Sequence, residues 1–154
     1  MELILWRHAE AEEPGGKDDI DRELTKKGRK QAERMAKWLR PKLDDRWSIL
    51  VSPAKRTLQT VEPLDLPFEV REPVGLSATA SGVLREAGWP DGRRNALVVG
   101  HQPTLGEVAS MLLLGNEGDT SIRKGAVWWF VAKERGGKME TTLKAVLNPD
   151  QIDD

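Results

Sequence analysis

The sequence predicts an α/β three-layer sandwich: a mostly parallel central sheet, helices on both faces, and an antiparallel pair of edge strands. Three observations predict it. Apolar runs without alternation, Leu3–Trp6, Trp47–Val51 and Ala96–Val99, read as strands covered on both faces. Segments with apolar residues at helical spacing lie between and after them, and strand–helix alternation is the pattern of a parallel sheet. The length, 154 residues, suits one core, so residues 1–154 are expected to form a single domain.

Each element has its own reason. Leu3–Trp6 ends abruptly at Arg7-His8, and the polar stretch after it, with Pro14, Gly15 and Gly16, reads as a loop. Thr25 reads as a helix N-cap, followed by Gly28, Ala32, Met35, Ala36 and Leu39 on one face and Lys and Arg on the other. Ser52-Pro53 after the second strand reads as a cap residue and a Pro at the first helical position, opening a helix with Lys55, Arg56, Leu58 and Val61. Phe68–Val70 is a candidate short strand. Ala80, Val83, Leu84 and Ala87 give an amphipathic helix closed by Gly88. Pro103 opens another helix, with Leu105, Val108, Ala109 and Leu112 on one face. Ala126–Lys133 and Thr141–Leu147 flank Gly136-Gly137 and read as a hairpin, with Trp128-Trp129-Phe130 as half-buried edge strand.

Composition narrows the function classes. With 24 basic and 25 acidic residues the net charge is −1, so no overall field favours nucleic acid or an anionic membrane. No run approaches the ~20 apolar residues of a membrane span, and MELILWRH lacks the apolar core of a signal peptide. There are no cysteines, which removes disulfides and thiolate chemistry and suits a reducing compartment. The expected location is the cytoplasm.

The chemistry-bearing residues cluster by position. Arg7 and His8 follow the first strong strand, Ser52, Lys55 and Arg56 the second, and His101 the third; the chain has two histidines and both sit in such places. Ligands of open α/β sheets bind beyond the carboxyl ends of the strands, so parallel neighbours would bring these groups to one rim. Two guanidiniums can hold an oxyanion bidentately. A neutral imidazole can attack phosphorus, and a second can steady the equatorial oxygens. The rival, a metal site built from His8, His101 and Glu10, Glu12 or Glu13, conflicts with the adjacent arginines, which repel a cation. No cofactor or metal is expected.

Four segments resemble the histidine phosphatase superfamily. Leu5-Trp6-Arg7-His8-Ala9-Glu10 is similar to its Arg-His-Gly signature. Leu24-Thr25-x-x-Gly28-x-x-Gln31-Ala32 resembles its first helix start. Val51-Ser52-Pro53-x-x-Arg56-Thr57-x-Gln59-Thr60 and Val99-Gly100-His101-Gln102-Pro103-x-Leu105 resemble its second and third motifs. The resemblance implies the phosphoglycerate mutase-like fold, with His8 as nucleophile and Arg7, Arg56 and His101 around the phosphoryl group, and Ser52 beside them. The short chain resembles the SixA-type phosphohistidine phosphatases, which implies a phosphorylated protein partner (a phosphohistidine carrier or phosphotransfer domain) and a place in signal transduction. A small-molecule phosphomonoesterase and a non-catalytic phosphate-binding adaptor are the alternatives. Ala9 replaces the common Gly, which matters if that residue must adopt positive φ. Glu72 is the nearest candidate for a general acid.

Overall fold

The computed structural model describes residues 1–153. Six strands form one sheet: β1 (Glu2–Arg7), β2 (Trp47–Val51), β3 (Glu69–Val70), β4 (Asn95–Gly100), β5 (Val127–Arg135) and β6 (Lys138–Leu147), in the order β3-β2-β4-β1-β5-β6. The first four run parallel; β5 pairs antiparallel with β1, and β6 with β5. Four helices cover the sheet: α1 (Lys26–Leu39), α2 (Lys55–Val61), α3 (Ala80–Ala87) and α4 (Thr104–Leu114).

Strand pleat explains the two cores, because successive side chains point to opposite faces. Leu3, Leu5, Ala96, Val98 and Phe130 pack on one face with Val83 of α3 and Leu105 and Val108 of α4. Ile4, Trp6, Leu97, Val99 and Trp129 pack on the other with Met35 and Leu39 of α1 and Val61 of α2. Both faces are therefore dry, and Ile4 and Leu5 are fully buried on opposite sides of one strand. Each such side chain contributes roughly 1.5–3 kcal/mol of transfer free energy.

Register sets the rim. Arg7 is level with Gly100, and Val51 with Val99. The next residues along the three parallel strands, His8, Ser52 and His101, therefore leave the sheet side by side.

Several elements depart from the expectation. The antiparallel pair does not lie wholly at the edge: β5 is interior, against β1, and β6 forms the edge. Trp129 and Phe130 are accordingly buried rather than half-exposed. The helix after Ser52 begins later, at Lys55, with Ala54 rather than Ser52 at the cap position, because the Ser52 hydroxyl is engaged elsewhere. Pro103 precedes α4 by one residue, and the expected Phe68–Val70 strand keeps only Glu69–Val70. The hairpin turn does use Gly136 and Gly137, both at positive φ (60° and 80°), the conformation a two-residue turn between twisted strands requires.

Helix α1 starts where it does because Thr25 caps it. Its Oγ1 accepts the Gly28 N–H at 3.0 Å, while its own N–H donates to the Glu10 carbonyl at 3.0 Å. Gly28 lets that carbonyl approach: a Cβ there would lie 1.9 Å from the Glu10 oxygen. In Gly28→Ala the gain in helix propensity, ~1 kcal/mol, is smaller than the cost of moving backbone aside. We expect a net loss of roughly 1–3 kcal/mol, read as a lower urea midpoint; an unchanged midpoint would show that the loop yields freely.

Candidate active site

His8 is the first residue beyond β1, and its backbone is pinned on both sides. Its N–H donates to Gly100 O and its carbonyl accepts from Gly125 N–H, both at 3.0 Å. In the side chain, Nδ1 lies 2.7 Å from Ala9 O. A carbonyl only accepts, so Nδ1 carries the proton and Nε2 keeps its lone pair. The tautomer with Nε2 available to an electrophile follows from one backbone oxygen.

His101 is the first residue beyond β4, and its carbonyl accepts the Leu105 N–H at 2.9 Å in the first turn of α4. Its Nε2 lies 2.7 Å from Ser52 Oγ, which also takes the Ala54 N–H at 3.2 Å. The two imidazole centroids are 5.4 Å apart, with the rings tilted by 55°.

Arg7 ends β1, and its Nη1 donates to Ile122 O at 2.7 Å. Arg56 projects from α2 and is 3% exposed. Its Nη1 donates to Asp19 O at 2.7 Å and its Nη2 to Asp19 Oδ2 at 3.1 Å. That grip turns the Nη edge of the guanidinium outward to the loop and leaves Nε on the inner side.

Three buried side-chain atoms among the described residues have no hydrogen-bond partner: Arg7 Nε, Arg56 Nε and His101 Nδ1. All three belong to this cluster. Both Nε atoms are donors, and His101 Nδ1 is one as well when the Ser52 hydroxyl gives its proton to Nε2; a buried donor without a partner costs ~1–3 kcal/mol, and native structures contain few of them. Concentrating three at one rim fits a site made for an oxyanion.

The same surroundings keep both imidazoles neutral. Burial lowers the His8 pKa to about 3; the bond to Ala9 O pulls upward, and the charges of His101, Arg56 and Arg7 each add a smaller downward push. Burial and the charge of Arg56 lower His101 to about 4, with Asp19 opposing. Burial also lowers the pKa of both Arg7 and Arg56.

The structure thus brings His8, His101, Arg7, Arg56 and Ser52 together. It leaves Lys55 exposed, 3.7 Å from Glu23 Oε1. Glu72 lies exposed in a 3-10 turn (Glu72–Val74), where its carbonyl takes the Gly75 N–H and its carboxylate has no hydrogen-bond or ion-pair partner among the described residues. Ala9 fits without left-handed backbone: Asp65 is the non-glycine residue with positive φ among the described residues, and the buried Ala9 gives its N–H to Thr60 Oγ1 at 3.1 Å. No three His, Asp or Glu side chains among the described residues are grouped to hold a metal ion.

Sequence reasoning missed Asp19 and Arg22. Asp19 clasps Arg56 from the loop before α1, and Arg22 Nε donates to Asp19 Oδ1 at 2.9 Å. Nothing in the sequence separates Asp19 from Asp18 and Asp21 in that acidic stretch.

Residues 3–91 match the model of the histidine phosphatase superfamily (branch 1). The chain belongs to the histidine phosphatase superfamily. An uncharacterized Picosynechococcus protein is 34% identical over 128 residues, 77% of this chain and 76% of its own. An uncharacterized Mycobacterium tuberculosis protein is 33% identical over 108 residues, 69% and 68% of the two chains. Among solved structures, the protein histidine phosphatase SixA complexed with tungstate superposes with a TM-score of 0.76 at 24% identity, covering 98% of this chain and 99% of that one. A phosphoserine phosphatase from Entamoeba histolytica, bound to phosphoserine, gives 0.68 at 17% identity over 94% and 95%. These likenesses show the phosphoglycerate mutase-like fold. Superfamily membership carries the enzyme class, a phosphatase that works through a histidine nucleophile.

The depressed pKa values have a sign that can be read. An unfolded imidazole binds its proton near pH 6.5, while the folded rings do so near 3 and 4. Between those limits the unfolded state holds more protons, so stability falls as pH drops from about 6.5 towards 4. With two histidines in the chain, ring-nitrogen NMR resolves both directly. Neither ring should titrate between pH 8 and 5, and His8 should show Nδ1–H; a midpoint near 6.5 for either ring would contradict the burial argument.

Proposed function

We propose that the chain is a phosphohistidine phosphatase formed by one domain over residues 1–154, with His8 as the nucleophile and Arg7, Arg56, His101 and Ser52 around the phosphoryl group. The observation that carries this reading is the trio of buried, unpaired nitrogens on Arg7, Arg56 and His101, set beside an imidazole whose Nε2 is free. SixA, a fold relative, was solved complexed with tungstate, which supports oxyanion binding by a protein of this fold.

The reaction divides into two displacements. His8 Nε2 attacks phosphorus in line and forms a P–N bond as the substrate P–N bond breaks. The substrate ring enters already protonated at its other nitrogen, so the P–N electron pair returns to the ring as a lone pair and the imidazole departs neutral with the proton it brought. Water then attacks phospho-His8, a P–O bond forms, the P–N bond to His8 breaks, and inorganic phosphate departs. The guanidiniums and His101 supply the charge that the three equatorial oxygens need throughout. Desolvation serves the first step, since His8 must be neutral to attack.

A protein phosphohistidine suits the site because its leaving group departs easily once protonated. The exposed, unpartnered Glu72 gives no support to strong acid catalysis of the kind an alkyl phosphate requires. The partner is therefore a phosphorylated carrier or phosphotransfer protein, and the role is in signal transduction. We place the reaction in the cytoplasm, in keeping with a chain without cysteines. Among the described residues no helix is long and apolar enough to cross a membrane.

A donor panel tests the reading. Phosphoramidate and phosphohistidine peptides should be hydrolysed well, activated aryl phosphates less so, and alkyl phosphates poorly. Arg56→Ala should lower kcat/KM by on the order of 100-fold on the good donors. Alkyl phosphates turned over as fast as P–N donors would overturn the substrate assignment.

A further inference from the structure

Beside the phosphoryl site lies a second concavity, a cleft of about 400 Å³ that shares Arg7 with it. Lys27 of α1, Arg123 and Lys124 of the segment before β5, and Arg7 line it, against Glu10 and Asp150. Four cations face two carboxylates.

Four cations less two carboxylates leave the lining with a charge of +2. Glu10 Oε2 accepts the Thr25 hydroxyl at 2.7 Å. Asp150 stands 4.0 Å from Arg123, both side chains at least 70% exposed, a contact worth little in water. Lys27 and Lys124 are exposed, and their ammonium groups have no hydrogen-bond or ion-pair partner among the described residues. The fixed parts of the wall are polar and stiff: Gln31, which holds the Glu10 N–H at 2.9 Å, and the buried Pro149.

The segment before α1 is tied to α2 by Arg56 on Asp19 and by the Leu24 N–H on Gln59 Oε1, and its acids Glu12 and Glu23 are already paired, both with Lys17 and Glu23 also with Arg29 and Lys55.

Resting on the phosphohistidine reading above, we propose that this cleft is a specificity subsite for acidic polypeptide flanking the phosphohistidine, with Lys27 and Lys124 as its main contacts. Acidic residues flanking the phosphorylated histidine are drawn to the Lys27 and Lys124 wall. Flanking contacts of this kind hold ground state and transition state alike, so they act on KM rather than kcat. They weaken with salt, because both lysines are in water.

Three phosphohistidine peptides that differ in flanking charge (Glu-rich, neutral and Lys-rich), together with phosphoramidate, test this. The Glu-rich peptide should be preferred over the neutral one by roughly tenfold in kcat/KM at low salt, through KM. The preference should shrink as salt rises. In Lys27→Glu with Lys124→Glu the ratio should fall to about one or below, while a circular-dichroism melt reports that the fold is kept. Equal rates for the three peptides, or a preference that survives the double reversal, would overturn the subsite. Failure of the wild-type protein to hydrolyse phosphoramidate or any peptide would instead overturn the proposed function, and the subsite with it.

Discussion

Everything at this rim depends on setting two guanidiniums, the buried Arg56 and the half-buried Arg7, beside two buried imidazoles. A buried cation is tolerated only when it is paired, and a buried imidazole gives up its proton. Arg56 meets the first demand through Asp19, while Arg7 keeps part of its surface in water and donates to the carbonyl of Ile122. His8 and His101 meet the second, with pKa values lowered to about 3 and about 4. One environment therefore gathers positive charge at the proposed phosphoryl site and keeps the proposed nucleophile neutral. The stability lost at three unpaired nitrogens can be regained by an oxyanion, which couples binding to the fold.

Backbone geometry makes this arrangement possible. The parallel register of β1, β2 and β4 sets His8, Ser52 and His101 in a row, and each is tied by main-chain bonds before its side chain is considered. The His8 tautomer is chosen by the carbonyl of the next residue. Ala9 then has two duties, giving that oxygen and placing its own N–H on Thr60. A methyl group is accepted because the chain there does not pass through left-handed backbone.

Much of this was legible in the sequence, and the exceptions have physical causes. Continuous apolar runs found the parallel strands because strands buried on both faces carry no alternation. The site residues stood out because each follows such a run. Strand order was not legible: nothing in Trp128-Trp129-Phe130 says that β5 pairs with β1 rather than with solvent, so its burial was underestimated. The Ser52 hydroxyl reads as a helix cap, yet it serves His101, and α2 starts at Lys55 instead. Asp19 was invisible because its role rests on a contact 37 positions away, from a loop without periodicity.

The central claim is that phosphorus passes through a covalent bond to His8 Nε2. Rapid mixing with excess phosphoramidate, an alkaline quench that preserves P–N bonds, and peptide mass spectrometry measure it directly. The account predicts phosphoryl on the peptide that carries His8, formed faster than phosphate is released and absent in His8→Ala. Label on His101, or steady turnover by His8→Ala at the wild-type rate, would contradict it.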